Sequence, residues 1–349
     1  MSKKIDTITF SAINKVEVKE FTLPECGPEQ LLCETLLSFV SPGTELRVLS
    51  GDYSKPEDFP LIPGYSAIAR VVEVGSEVRG YHVGDLVSGR NPVVQVPGVG
   101  SMWGGQASHH LYASHGEDRA VLIPRDADPM NYAIAEVAAV SFRGIEAARA
   151  QAGETAVVIG QGMIGSFSAA WLMDRGCKVI VCDIDEGRLD KALERGVAAA
   201  IHMKDQDALQ RLEVHLNGGA DIVVESSGVT PGLEAALKLV RKKPQAYGAD
   251  YKVEPINFYG GDWPRLVLQA NYIEKTPLDL FSACPGEGVT LITPMDRGVE
   301  DRQKVIEAIR MGRLKSKDYI DKVISYREAA NGYKALQEHT ATSVVFQWQ

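Results

Sequence analysis

The sequence is poor in the residues that build metal and disulfide frameworks. Its 349 residues include only five cysteines and seven histidines, and Cys26, Cys33, Cys177, Cys182 and Cys284 never fall in a Cys-x-x-Cys pair. An odd set without close pairs fits reduced, mostly buried thiols and argues against a disulfide scaffold or a structural zinc site. Cations are also in short supply: 37 Lys and Arg face 46 Asp and Glu, for a formal net charge of −9. Nucleic-acid affinity rests on clustered cations that neutralise phosphates, so no nucleic-acid partner is expected. No apolar run approaches the about 18 residues of a membrane span. The polar start Met1-Ser-Lys-Lys-Ile-Asp-Thr7 leads into no signal-like core. A cytoplasmic chain with no membrane partner is the expectation. There is no internal repeat and no low-complexity tract.

What is present reads as two ordinary globular domains. The chain is longer than one hydrophobic core usually supports, and 45% apolar with 24% charged residues is a typical soluble composition. Up to about residue 125 the pattern is short β-branched runs between Gly, Pro and Asp, such as Ile68–Val74 and Asp85–Ser88. From about residue 130, Ala-rich helical stretches alternate with apolar runs, the mark of a parallel sheet wrapped by helices. Strands are predicted at Thr155–Ile159, Lys178–Cys182, Ala198–His202, Asp221–Glu225, Arg265–Gln269 and Val289–Thr293. The tail is predicted to hold helices at Arg302–Met311 and Arg327–Glu338, then a strand Ser343–Trp348 that rejoins the first domain. This gives an α/β chain with a β-rich domain over 1–125 and 295–349 and a doubly wound parallel sheet over 126–294. The aromatic segment Lys242–Pro264 breaks the rhythm, and it is assigned to packing or a subunit contact rather than to a lid.

One motif carries chemistry. Gly160-Gln161-Gly162-Met163-Ile164-Gly165 follows the strand Thr155–Ile159 and opens the apolar helix Met163–Arg175. The first glycine allows the tight turn, the second lets a pyrophosphate approach the backbone, and the third lets helix and strand pack closely. The helix N-terminus then favours the phosphate charge. Gly176 is placed to end that helix. The next strand runs into Asp183, roughly 20 residues beyond the last glycine, where a carboxylate accepts from the adenosine ribose and repels a 2′-phosphate. NAD is therefore the expected cofactor, held by Gly160, Gln161, Gly162, Met163, Ile164, Gly165 and Asp183.

The order of domains resembles the medium-chain dehydrogenase/reductase superfamily, and so do several segments. Pro63-Gly64-Tyr65-Ser66, Val71-Val-Glu-Val-Gly75, Gly84-Asp85-Leu-Val87 and Gly104-Gly105-Gln106-Ala107 are similar to that family's stretch around Gly-His-Glu, its Gly-Asp-Arg-Val turn and its Gly-Gly-x-Ala strand. The resemblance implies a GroES-like catalytic domain beside the Rossmann domain. Where zinc-dependent members carry Cys and His ligands, this chain has Ser41-Pro42-Gly43-Thr44-Glu45 and Tyr65-Ser66, and residues 80–130 hold no cysteine. Only Glu136, in Ala135-Glu136-Val137-Ala138, matches a ligand, the carboxylate of polyol-type members. One carboxylate falls short of the three protein ligands typical of catalytic zinc, so a zinc-free branch with no metal is expected. It is similar to bacteriochlorophyllide dehydrogenase-like and polyol dehydrogenase-like members.

In that reading Thr44 and Tyr65 bond a substrate oxygen, and Glu136 serves as general base if burial raises its pKa. Arg143, on the helix face of Glu136 and Ala139, is assigned to solvent, and His109 and His110, on opposite faces of a strand, to packing. The expected activity is zinc-independent hydride transfer between NAD(H) and a secondary alcohol or ketone, a polyol, cyclitol or sugar-like compound, by a homo-oligomer (dimer or tetramer). The alternatives are a quinone or enone reductase and a noncatalytic NAD(H)-binding protein.

Overall fold

The structure of the chain is a computed structural model that describes residues 3–92, 96–216, 218–241, 263–273, 275–276, 289–295 and 298–349. It divides into two compact units, Met1–Ala139 with Arg297–Gln349, and Val140–Asp296. The first unit thus runs past the boundary near residue 125 that composition implied. The reason is packing after that point: the Ser316 hydroxyl donates to the Asn131 carbonyl at 2.5 Å, and Glu136 pairs with Arg90 and Arg302.

Unit 1 is built on two sheets. In one, β1 (Lys3–Ala12) forms a hairpin with β2 (Lys15–Leu23) and continues to β4 (Leu61–Ile62) and β7 (Gly100–Ser101). Asn14, at φ 57°, supplies the left-handed residue of the hairpin turn. The other has the order β16 (Lys322–Ser325), β17 (Val344–Gln347), β3 (Gln30–Phe39), β5 (Ala67–Val74), β6 (Leu86–Gly89), β9 (Val121–Ile123), with β8 (His109–Ala113) also paired to β3. The apolar strand β3 is buried almost throughout, as a central strand should be. The tail does rejoin this unit, because β17 runs antiparallel to β3 with Val345 opposite Phe39.

Four helices accompany these sheets. α1 (Pro42–Ser50) was not foreseen, although Pro42 sits at a first helical position, where its missing N–H costs nothing. α2 (Ala135–Ala148) carries Glu136, Ala139 and Arg143 as expected, and α7 (Val299–Arg310) and α8 (Ala329–Gln337) fill the predicted tail positions, α8 after a short 3-10 turn at Tyr326–Glu328.

Unit 2 is a six-stranded sheet in the order β12 (Ala199–His202), β11 (Lys178–Asp183), β10 (Thr155–Ile159), β13 (Ile222–Glu225), β14 (Arg265–Leu268), β15 (Thr290–Ile292). Every neighbouring pair is parallel. All six predicted strands are present, Thr155–Ile159 with its predicted bounds and the other five shortened or extended at their ends. Of the connecting helices α3 (Met163–Asp174), α4 (Glu186–Glu194), α5 (Ala208–Leu216) and α6 (Thr230–Leu239), α3 is buried on more than one side, with Gly165–Ala169 all inaccessible, while α4 and α5 bury one face each: Leu189 and Ala192 from α4, Leu212 and Leu216 from α5. A fully buried aliphatic side chain contributes roughly 1.5–3 kcal/mol of transfer free energy, so these stripes fix the helices on the sheet. Gly176, at φ 80°, ends α3 as predicted, its N–H donating to Met173. Strand order reverses at β10, which has β11 on one side and β13 on the other, and ligands of such sheets bind at that point. Most of the expected Lys242–Pro264 feature lies outside the described residues.

Candidate active site

At the reversal point the backbone of unit 2 forms a cradle. Gly160 has φ 87°, and a Cβ there would come within 2.8 Å of the Ser227 nitrogen. At Gly165 a Cβ would fall 1.8 Å from the Gly160 carbonyl oxygen, so helix and turn touch only because both residues lack side chains. Gly162 differs. It is the extended N-cap of α3, and nothing lies within 4 Å of its missing Cβ, so its outer side is open to a ligand. The Ser226 hydroxyl donates to the carbonyls of Ile159 (2.8 Å) and Gly160 (2.9 Å) and braces the turn from β13.

Asp183 ends β11 with only 7% of its surface exposed. Its Oδ2 accepts from the Gln161 N–H at 2.5 Å, and its Oδ1 from the N–H groups of Ile184 (2.7 Å) and Asp185 (3.0 Å). Arg188 Nη1 stands 3.9 Å from Oδ2. The carboxylate therefore locks the glycine turn to the end of β11, a role the sequence did not reveal, and its charge is partly met.

Unit 1 holds two buried polar clusters. In the first, Glu45 of α1 is fully buried and accepts from the Ser41 N–H (2.8 Å), Gln106 Nε2 (3.1 Å) and the Tyr333 hydroxyl (2.5 Å). The chain of contacts continues from the Ser38 hydroxyl to Gln106 Oε1 and from Trp348 Nε1 to Ser38. Burial pushes the Glu45 carboxyl up to about 7 against the pull of those donors. Tyr65 joins this cluster through Ser41: its hydroxyl donates to Ser41 Oγ at 2.8 Å. Burial pushes the phenol up to about 12, so it remains a neutral donor at ordinary pH. Thr44 lies in the first turn of α1, half-buried, and its hydroxyl makes no hydrogen bond among the described residues.

In the second cluster Glu136, 1% exposed, lies between two guanidiniums, with Arg90 Nε 3.2 Å from Oε1 and Arg302 Nη1 3.8 Å from Oε2. Arg302 is as deeply buried, and its Nη2 donates to the carbonyls of Glu117 (2.7 Å) and Arg119 (2.8 Å). Burial raises Glu136 to about 7 although both arginines pull it down. The direction is the one a general base requires; the two flanking cations were not anticipated.

Known proteins resemble both units. Residues 32–125 match the alcohol dehydrogenase GroES-like domain family, and residues 164–246 match the zinc-binding dehydrogenase family. The chain belongs to the medium-chain dehydrogenase/reductase superfamily. A sorbitol dehydrogenase of Halalkalibacterium halodurans is 27% identical over 248 residues, which is 65% of this chain and 71% of that one. Two solved structures share the fold. One, assigned as a zinc-binding dehydrogenase of Sinorhizobium meliloti 1021 and bound to NADP, has a TM-score of 0.79 at 20% identity and covers 99% of this chain and 100% of its own. The other, described as a short chain alcohol dehydrogenase of Escherichia coli CFT073 in complex with NADH, has a TM-score of 0.80 at 17% identity, with 99% of each chain covered.

The superfamily implies a catalytic zinc, which takes three protein ligands. Pro42 offers no ligand atom, Tyr65 is a neutral phenol already bonded to Ser41, and Glu136 is engaged by two guanidiniums. Among the described residues no group of three or more His, Cys, Asp or Glu is placed to hold a metal ion. These side chains do not fit a three-ligand site.

His110 packs as expected for a core histidine: it is 2% exposed, its Nδ1 lies 3.0 Å from the Thr35 hydroxyl, and burial lowers it to about 3, which keeps it neutral. His109 points to the other face and is half-buried, as is Arg143. The residues that sequence reading missed are Ser41, Glu45, Gln106 and Tyr333 in one cluster and Arg90 and Arg302 in the other. Arg302 left a trace: it falls on the apolar stripe Val299, Val305, Ile306, Ile309 of α7, where an arginine is out of place unless it is paired.

Proposed function

We propose that this chain is an oxidoreductase that moves a hydride between NAD(H) and a secondary alcohol or ketone, with a polyol, cyclitol or sugar-like compound as substrate, and that it does so without catalytic zinc. The observation that carries the reading is the glycine turn at the strand-order reversal of unit 2, open at Gly162 and rigid at Gly160 and Gly165. Membership of the superfamily supports the reaction class, and the sorbitol dehydrogenase relative supports a hydroxyl-rich substrate. That no fitting donor set occurs among the described residues supports zinc independence.

When bound, the nicotinamide ring accepts or delivers the hydride; the chain's own residues bind, orient and handle one proton. The turn Gly160–Gly165 and the N-terminus of α3 would hold the pyrophosphate, and Asp183 the adenosine ribose. Tyr65, neutral and a donor, would bond the substrate oxygen, with Ser41 turning its own hydroxyl toward the phenol oxygen as Tyr65 leaves it. Thr44, whose hydroxyl has no other partner in the described structure, would add a second bond. Glu136 would take up the proton, and its burial at 1% exposed means that the proton reaches it through an intervening hydroxyl or water rather than directly.

The test is NADH formation over a panel of polyols, cyclitols and sugars, with and without chelator, alongside metal analysis of the purified protein. Turnover that survives chelation supports the reading. Stoichiometric zinc together with activity restored only by zinc would overturn its metal-free part, and tight NADH binding with no turnover would overturn its catalytic part. General acid–base help is worth about 10²–10⁴-fold in rate, so Tyr65→Phe and Glu136→Gln are each expected to lower kcat by that order with NADH affinity kept.

A second reading, use of NADP(H), is favoured by one observation, Arg188 standing 3.9 Å from Asp183. A guanidinium there offsets the repulsion between the carboxylate and a 2′-phosphate. Calorimetric titration with NADH and NADPH decides between them.

A further inference from the structure

Trp103 adopts a backbone conformation that aromatic residues avoid, with φ 69° in the left-handed region. Hydrogen bonds on both sides hold it there. The Met102 N–H donates to the Ile62 carbonyl at 3.0 Å, the Gly105 N–H to the Gly64 carbonyl at 2.6 Å, and the Gln106 N–H to the Pro63 carbonyl at 2.9 Å. The two strips of chain are so close that a Cβ on Gly105 would lie 2.7 Å from the Gly64 oxygen. The clamp therefore fixes where the indole goes, and it goes to Tyr65: the two rings meet edge-on, with centroids 5.8 Å apart and planes at 73°.

Packing alone leaves two features unexplained. The indole is only partly buried, resting against the core cluster that includes Tyr326 and Trp348, and its N–H makes no hydrogen bond among the described residues. Trp348, by contrast, donates its N–H to Ser38. A buried aromatic normally satisfies its polar edge, and left-handed residues held by their surroundings concentrate at binding sites. Here a rigid, partly open indole with a spare donor stands beside the Tyr65–Ser41 hydroxyl pair.

We propose that Trp103 is the specificity residue of this site, its ring face taking the C–H face of a cyclic polyol while its N–H and the Tyr65 hydroxyl bond the ring hydroxyls. A flat apolar face flanked by hydroxyl donors matches a molecule with one carbon-rich face and a polar rim. An open-chain polyol forms such a carbon-rich face only by giving up the freedom of several rotatable bonds, so it would bind through its hydroxyls at Tyr65 and not on the indole face. The inference rests on the reading of the site as one for hydroxyl-bearing substrates, and adds to it the preference for a ring and the residue that enforces it.

The experiment titrates NADH-loaded protein with myo-inositol and methyl β-D-glucopyranoside as ring probes and sorbitol as the open-chain probe, by calorimetry and tryptophan fluorescence, in wild type, Trp103→Phe and Trp103→Leu. At least one ring probe should bind more tightly than sorbitol. Trp103→Leu should weaken that ring at least tenfold with little change for sorbitol or NADH, and Trp103→Phe, which keeps a face and loses the N–H, should fall between. If Trp103→Leu proves unfolded, the Phe variant against both polyol classes still decides. Failure of both rings to bind wild type, or equal weakening of ring and chain, would overturn the inference. Ring binding that depends on Trp103 without any NADH formation would leave it standing and remove the catalytic reading; turnover of alcohols indifferent to Trp103 would do the reverse.

Discussion

The glycine turn of unit 2 and the polar clusters of unit 1 reach a fixed geometry by opposite means. In the turn almost nothing but backbone is used: side chains are deleted at Gly160 and Gly165 so that main-chain atoms can touch, and one carboxylate, Asp183, ties the turn to its neighbouring strand. In unit 1 the main chain only delivers the ends, and long side chains from distant segments meet in the interior. Glu45 accepts a hydrogen bond from Tyr333 at the far end of the sequence, and Glu136 forms ion pairs with Arg90 and Arg302. A backbone device tolerates no added atom. A side-chain device tolerates volume but not an unmatched charge.

That contrast is open to attack at each end. Arg302→Met should have the largest effect, about 3–5 kcal/mol of lost stability in denaturant unfolding, because it leaves a buried carboxylate short of a partner. Pairing it with Glu136→Met should recover much of the loss; no recovery would mean that the bonds of Arg302 to Glu117 and Arg119 matter more than the ion pair. Gly165→Ala comes next, at about 1–3 kcal/mol from forced overlap with the Gly160 oxygen, and NADH titration should show the cofactor affinity falling with it. Were Gly165→Ala to bind NADH like wild type, the backbone account of the turn would be wrong.

Asp183→Ser should narrow the preference between NADH and NADPH by about tenfold, or 1.4 kcal/mol, while loosening the turn that its carboxylate fastens. The smallest effect per group is that of pH. Glu45 and Glu136 both have folded pKa values raised to about 7 from 4.5. The folded state therefore holds their protons more tightly than the unfolded chain does. Stability from these groups is full below about pH 4.5 and is lost as pH rises toward 7, with no further change above. Between pH 6 and 7 the decline should be on the order of 1 kcal/mol per group, less than the limiting 1.4 kcal/mol. A melting temperature that rises over this interval would contradict it.

The same contrast explains what could be read from the sequence. The path from β10 through the glycines to Asp183 is contiguous, so local periodicity, turn chemistry and spacing all pointed to it, and the parallel strands followed from their apolar runs. Thr44 and Tyr65 could be named as candidates, but their surroundings could not be read: no local rule pairs Glu45 with Tyr333, or places Arg90 beside Glu136. Helix α1 was missed because Pro42 and Gly43 have low helix propensity, while in the fold Ser41 and Glu45 close its first turn by a hydrogen bond. Trp103 carried a visible sign, two glycines following an aromatic, yet its left-handed backbone depends on a clamp from residues 62–64.

The chain leaves unit 1 after Ala139 and comes back at Arg297. Glu136 and Arg302 stand close to these two crossings, and their side chains are in contact. Unit 2 is therefore a guest inserted into the sequence of a host. A host arranged in this way is nearly indifferent to the guest's length, since doubling a closed loop costs only about 0.6 kcal/mol. Whatever is inserted or removed within the guest, one carboxylate and one guanidinium, both inside the host, pair its two sequence segments.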